Sequence, residues 1–463
     1  FGFTEVSMQM PTSVKDVKKT YFKYLGACIG SAMIASVYAF VDCIMVGQYE
    51  GPDGTAVLAV IMPIWTLIYA IGWLFGIGGA VLMSHARGNG DKHRGDVIFT
   101  VSNIAGISVA LLTWLILAVW SEDFLVMFGA DEKLLPLAMK YMKWINIVMP
   151  LFTVGQIWSC FIRNDGSPQK AMIAVLCGGV FNMIGDYVLV FVVDMGIEGA
   201  GLATALGQVL AVLVMSTHFF SRKNNLRLVR PVKFLYFTRR ILTTGFATFV
   251  TDVAIGILAI LFNNQIMRYA GSDALAVYGV IINFTAFVQS VAYGVGQSAQ
   301  PLMASNYGAK NIDEVRYASR LGWISAAVIG LFVLVLVQSV PLYITRLFMS
   351  TTPKVEVIAP SIIRLYGLSY LLLPVNVFAT YYCQSILKPR ASLTISLFRG
   401  LIFSGAMIYI LPALFGSTML WWTMTVTECA TLLLVIFFVR KYDRQLLLMK
   451  TDINHNEIQN KGK

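Results

Sequence analysis

The sequence predicts an all-α polytopic membrane protein: twelve transmembrane helices in two six-helix lobes, related by a pseudo-two-fold axis along the membrane normal. Three observations carry that expectation. The 463 residues are 57% hydrophobic and only 13% charged, about half the charged share of a soluble domain. Apolar stretches close to the ~20 residues that cross a bilayer recur from end to end. The first half of the chain also echoes in the second.

The spans follow in order. The first, at about 22–48, is preceded by Lys15, Lys18 and Lys19 and has Lys23 at its start. Glu50 and Asp53 separate it from the second, at about 57–83, which runs out into Arg87, Lys92 and Arg94. The third, at about 97–120, meets Glu122 and Asp123; the fourth, at about 142–162, meets Arg163 and Lys170. The fifth, at about 170–193, ends at Asp194 and Glu198, and the sixth covers about 199–220. A long basic connection follows, with Arg222, Lys223, Arg227, Arg230, Lys233, Arg239 and Arg240. The remaining six lie at about 241–267, 275–303, 321–343, 358–385, 391–412 and 418–439. Their basic connections carry Lys310, Arg316 and Arg320, then Lys388 and Arg390, then Arg440, Lys441 and Arg444. Basic loops stay cytoplasmic, so both termini are expected inside. The net charge of +11 is therefore an orientation signal, and no nucleic-acid partner is expected.

The internal echo defines the lobes. AVLAVIMPIWTLIYAIGWLFGIGGAVLMSHARGNGD from Ala56 aligns without gaps with AVYGVIINFTAFVQSVAYGVGQSAQPLMASNYGAKN from Ala276. Val60/Val280, Ile61/Ile281, Gly76/Gly296, Leu82/Leu302 and Gly88/Gly308 coincide, and Pro168 is echoed by Pro389. Six spans then six, each set starting inside, give repeats of one orientation with a cavity between them. The expected divisions are an N-terminal lobe over 1–220, a basic linker over 221–240, a C-terminal lobe over 241–440 and a cytoplasmic tail over 441–463.

Several functions lose support. No G-x-x-x-x-G-K-[ST] motif is present, which argues against ATP use through a P-loop. The glycines around Gly76 and Gly196–Gly201 suit helix packing and a turn better than a nucleotide loop. Cys28, Cys43, Cys160, Cys177, Cys383 and Cys429 fall in spans without metal spacing, and His85, His93, His218 and His455 are scattered. No H-E-x-x-H, G-x-S-x-G or D-x-D motif marks an intramembrane hydrolase or glycosyltransferase. The expectation is a transporter, not an enzyme, without a cofactor.

The informative residues are charges inside the spans, each costing at least ~2.5–3.5 kcal/mol in a bilayer core. Asp186 in FNMIGDYVLVF lies ~10 Å before the outer end of the fifth span. Asp42 in VYAFVDCIMVG lies ~9 Å before the outer end of the first. Asn182 shares a helix face with Asp186, and Thr204 returns to a similar depth. Two carboxylates, an amide oxygen and a hydroxyl form hard oxygen ligands for Na⁺, or a shared proton site. The second half carries Asp252 and Glu428 but also Arg364 and Arg399. There Arg399 with Glu428 reads first as a structural ion pair, with a second coupling acid as the alternative for Glu428, while Asp252 is either a second coupling acid or an Arg partner.

At these residues the chain resembles the MATE (multidrug and toxic compound extrusion) family. VDCIMVG is similar to that family's VDxxMVG-type signature, and Asn182-x-x-x-Asp186 agrees with it. Acids on both the first and fifth spans point to the DinF-like prokaryotic branch and MepA-type pumps. The resemblance implies an antiporter in the plasma membrane, exchanging inward H⁺ or Na⁺ for outward lipophilic cations. It maps the cation site onto Asp42, Asn182, Asp186 and Thr204, with Tyr141 alongside. Gly26 and Ala27 stand where several members carry proline, and the tenth span lacks the aspartate of the NorM-like branch.

A cavity for greasy cations would draw on aromatic faces and adaptable side chains. Tyr38, Gln156, Phe181, Asn283 and Gln289 are the candidates. The rival reading is a lipid-linked precursor flippase of the same superfamily, which calls for a basic cavity around an anionic headgroup. The acidic first lobe favours cation export. A monomer is expected.

Overall fold

The computed structural model describes residues 14–349 and 352–461. The first half comprises α1 (Val14–Glu50), α2 (Pro52–Gly88), α3 (Lys92–Val119), the short α4 (Ser121–Met127), α5 (Leu134–Asn164), α6 (Pro168–Asp186) and α7 (Ile197–Ser216). The second comprises α8 (Phe234–Tyr269), α9 (Gly271–Gly308), α10 (Ile312–Ser339), the short α11 (Pro341–Phe348), α12 (Pro353–Gly367), α13 (Leu373–Ser385), α14 (Pro389–Leu397), α15 (Phe403–Phe415) and α16 (Thr423–Lys461). A 3₁₀ turn, Leu368–Leu371, joins α12 to α13 as one span. π turns extend α6 over Tyr187–Val192 and join α14 to α15 over Phe398–Ile402.

Among the described residues twelve helices are long and apolar enough to cross a membrane, and they coincide in order with the twelve predicted spans. Most begin or end outside the apolar stretch; α5 starts at Leu134 and α8 at Phe234. Hydropathy marks the lipid-immersed part, whereas a helix continues while its N–H groups still find carbonyls four residues back. Pro168 and Pro389 open α6 and α14, where the missing N–H would have had no intrahelical partner anyway.

The chain packs as two compact units. The first holds Gly26–Arg87 and Asp91–Phe249; the second holds Gly88–Gly90, everything from Val250 onward, and α1 up to Leu25. The grouping differs from the division drawn at 220/241. Two features attach the connection and the start of α8 to the first unit. Val229 donates its N–H to Thr100 Oγ1 at 3.0 Å. Gly78 and Gly245 lack the side chains that would strike the facing backbones of α8 and α2. Correspondingly, Val17 and Tyr21 belong to the second unit's core with Val295, Ala299 and Met303, and the Tyr21 hydroxyl donates to Ser325 Oγ at 2.9 Å. The first helix of each half thus changes unit partway along. The tail is a continuation of α16 whose Asp443 accepts from Tyr382 at 2.7 Å.

The repeat is visible in packing as well as sequence. A Cβ on Gly76 would meet Cys160 Sγ at 2.9 Å, and one on the matching Gly296 would run into the Tyr381 ring. In each unit the second helix therefore presses a glycine against its fourth span.

Candidate functional site

Glycines bring the polar groups of the first unit together. A Cβ on Gly178 would approach the Gly207 carbonyl at 2.7 Å, and one on Gly207 the Gly178 carbonyl at 2.7 Å, so α6 and α7 cross nearly backbone to backbone. Gly201 lies so close to the Tyr141 carbonyl that any side chain would collide with it, which seats α7 on α5. Close approach through small residues is how helices associate where lipid offers no hydrophobic drive. On α1, the Tyr38 ring fits over Gly179.

The result is a cluster of the five residues expected from sequence. Asn182 donates from Nδ2 to Asp186 Oδ1 at 3.3 Å and to Thr204 Oγ1 at 3.1 Å. The Tyr141 hydroxyl donates to Asp42 Oδ2 at 3.3 Å, and Asp42 lies within electrostatic reach of Asp186. Asp186, Asn182 and Tyr141 are 0%, 3% and 2% exposed, so water does not screen them. Asp186 also sits where α6 passes into its π turn, a register change that recurs at functional positions.

The donor count decides what the cluster can hold. Asp42 Oδ1, Asn182 Oδ1 and Asp186 Oδ2 are buried with no hydrogen-bond partner. All three are acceptors. Among the described residues no ion pair reaches Asp42 or Asp186. Lys143 turns instead to Glu198 at 2.7 Å. Buried acceptors without donors are costly, and a proton or a small hard cation is what such a set accepts. Among the described residues no group of three or more His, Cys, Asp or Glu is gathered as for a metal ion.

The second unit contains a different arrangement. Arg399 Nε and Glu428 Oε1 pair at 2.8 Å, with Glu428 fully buried. Asn376 Nδ2 donates to Glu428 Oε2 at 2.6 Å and to its carbonyl at 2.9 Å, and Arg399 reaches Gln289 Oε1 at 3.4 Å. Among the described residues Asp252 pairs with no arginine; it accepts from the Tyr293 hydroxyl at 2.7 Å. Arg364 lies elsewhere, donating from Nε to the Gln338 carbonyl at 3.2 Å.

The remaining cavity candidates do not converge. Gln156 is partly buried beside Gly72, and Gln289 is buried in the Arg399 network. Phe181 is 42% exposed. Asn283 is exposed and satisfies its amide on its own helix, donating to the Gly279 carbonyl at 2.9 Å.

The family model described as MatE matches residues 27–188 and 247–410, one stretch in each half of the chain. The chain belongs to the MatE family. Multidrug export protein MepA of Staphylococcus aureus (strain MSSA476) is 24% identical over 415 residues, covering 88% of this chain and 91% of that protein. MepA of Staphylococcus haemolyticus (strain JCSC1435) is 24% identical over 430 residues, covering 92% and 93%. In fold, the chain is similar to the outward-facing conformation of a multidrug resistance MATE family transporter of the MOP superfamily. That superposition has a TM-score of 0.87 at 19% identity, covering 93% and 96%. A MOP superfamily transporter from Pyrococcus furiosus, described as having a binding pocket of reverse polarity, superposes with a TM-score of 0.87 at 18% identity, covering 93% and 96%. As a MatE member this multi-pass membrane protein is a transporter and not an enzyme.

Sequence reasoning missed one buried group in this MatE chain. Asp165, just after α5, binds Arg87 Nη1 at 2.6 Å through Oδ1; its Oδ2 meets His218 Nε2 at 2.9 Å and accepts the Asn225 N–H at 3.0 Å. Arg87 also binds Asp96 at 3.1 Å and donates to the Asn225 carbonyl at 2.7 Å. The cluster ties the connection after α7 to α2 and α3. An acid among the bases that mark the inner loops was the only sequence signal. Asn376 and Tyr293 left none, because an amide and a phenol are ordinary in a membrane helix.

Proposed function

We propose that this MatE transporter exports lipophilic organic cations by alternating access, in exchange for inward H⁺ or Na⁺, in the plasma membrane of a prokaryote with both termini inside. The observation that carries the reading is the set of three orphaned acceptor oxygens on Asp42, Asn182 and Asp186. Deprotonated, the cluster attracts a cation through a medium of low dielectric. A proton or Na⁺ taken up from outside occupies those oxygens and cancels the attraction, so the organic cation leaves outward. When the transporter faces inward, the driver ion departs and the acids recharge. Coupling of roughly 1–3 kcal/mol between the two occupants is ordinary for such linkage. The names of the MepA relatives support multidrug export. A flippase for anionic headgroups would want a basic lining, and the buried cluster of the first unit is acidic.

The test is ethidium efflux from cells or vesicles under imposed ΔpH or Na⁺ gradients, for wild type, Asp42→Asn and Asp186→Asn. Loss of gradient-driven efflux in both variants supports the assignment. Undiminished efflux in both removes it, and transport of a lipid-linked sugar without any organic cation replaces it with the flippase.

A further inference from the structure

The first unit has a further polar feature, at the opposite end of its spans from the acid cluster. The last turns of α2 and the first two turns of α3 and of α8 enclose a small recess of about 40 Å³. Arg94, Arg240, His85 and Phe237 line it together with apolar residues of α2 and α3. The Arg94 guanidinium lies 5.8 Å from the Phe237 ring centroid, and that of Arg240 lies 5.9 Å from the Tyr236 ring. Arg240 Nη1 also donates to the Tyr236 hydroxyl at 3.3 Å; a guanidinium has five N–H donors, so each arginine keeps donors for an anion.

The nearby carboxylates are committed elsewhere. Asp91 caps α3 by accepting the Arg94 backbone N–H at 2.9 Å, and Asp96 is held by Arg87 at 3.1 Å. Among the described residues neither Arg94 nor Arg240 forms an ion pair. Two partly buried guanidiniums thus line one recess, without a paired carboxylate among the described residues. Their planar forks match the oxygens of a phosphate.

The recess also lies where a lipid would meet it. All three enclosing segments are helix ends on the basic side of the membrane, the level of phospholipid phosphates.

We propose that this recess binds the headgroup phosphate of an anionic phospholipid of the inner leaflet, held between Arg94 and Arg240. The proposal needs the membrane reading and the basic-side level, and does not depend on which drug or driver ion is used.

The experiment is native mass spectrometry of the purified full chain titrated with dioleoyl phosphatidylglycerol or phosphatidylcholine. Wild type should retain phosphatidylglycerol in preference to phosphatidylcholine. Removing one charge-assisted hydrogen bond should lower that affinity about tenfold or more, so Arg240→Gln should weaken retention and Arg94→Gln/Arg240→Gln should abolish the preference. Arg222→Gln/Lys223→Gln, on the exposed connection, should leave it intact. Equal loss in that control means diffuse attraction and overturns the site. Displacement by equimolar glycerol 1-phosphate means a free anion is the ligand and overturns the lipid assignment. If the double variant unfolds, Arg240→Gln alone decides, and unchanged retention in it overturns the proposal.

Discussion

Asn182 stands one helical turn before Asp186 and donates its amide to that carboxylate at 3.3 Å, while its own carbonyl oxygen faces no donor. The amide thereby supplies two hydrogen bonds to the site, the second to Thr204 Oγ1 at 3.1 Å, and one more acceptor. This asymmetry leaves the cluster short of donors, which is what the proposed cation site requires.

Asp186→Asn should lower gradient-driven ethidium efflux by roughly 5–150-fold, the range of ordinary site-to-site coupling. Asp42→Asn should do the same to a smaller degree, because Tyr141 already shares its charge. Neither should lower the unfolding temperature in detergent, since a buried unpaired charge is removed. Parallel loss of efflux and stability would mean a structural role.

Asn182→Ala strips the amide that donates to both Asp186 Oδ1 and Thr204 Oγ1. Leaving buried acceptors unsatisfied costs about 1–3 kcal/mol. Thermal unfolding should reveal that cost, and efflux should fall with it. Asn182→Asp, which keeps the oxygens and adds a charge, should leave the efflux defect in place.

Gly201→Ala tests the crossing that positions Tyr141. The new methyl group would collide with the Tyr141 carbonyl, and overpacking of this kind costs about 1–3 kcal/mol. Lower efflux should appear together with lower stability. Gly256→Ala, where nothing lies within 4 Å of an added Cβ, should be silent in both assays.

The Arg399–Glu428 pair calls for a double-mutant cycle. Breaking it from one side strands a buried charge, and Arg399→Met or Glu428→Leu should each destabilise by about 3–5 kcal/mol. The double variant should recover much of that loss in thermal unfolding. Additive losses would show that the two residues do not act as a pair.

Asp165→Ala should release the connection after α7. Without the bonds to Arg87, His218 and Asn225, local opening should rise at least about tenfold. Limited trypsin digestion should then cut at Arg227 correspondingly faster. An unchanged cutting rate would show that the tie does not hold the segment.

The sequence by itself determined the twelve spans, their repeat and the identity of the acids. Lipid gives a backbone no outside partner, so each crossing must close its hydrogen bonds locally and declare itself as one apolar run. A carboxylate in such a run is conspicuous for the same reason, which is how Asp42, Asp186, Asp252 and Glu428 were legible. What only the tertiary structure decided was convergence. Whether Asn182 meets Thr204 depends on α6 and α7 touching at Gly178 and Gly207, and neither glycine announces its partner. That α1 and α8 change unit near Leu25 and Phe249, that Asp165 gathers Arg87 and His218, and that Phe181 and Asn283 stay exposed are likewise matters of helix rotation and crossing. Hydropathy records how deep a residue lies and leaves open which way it points.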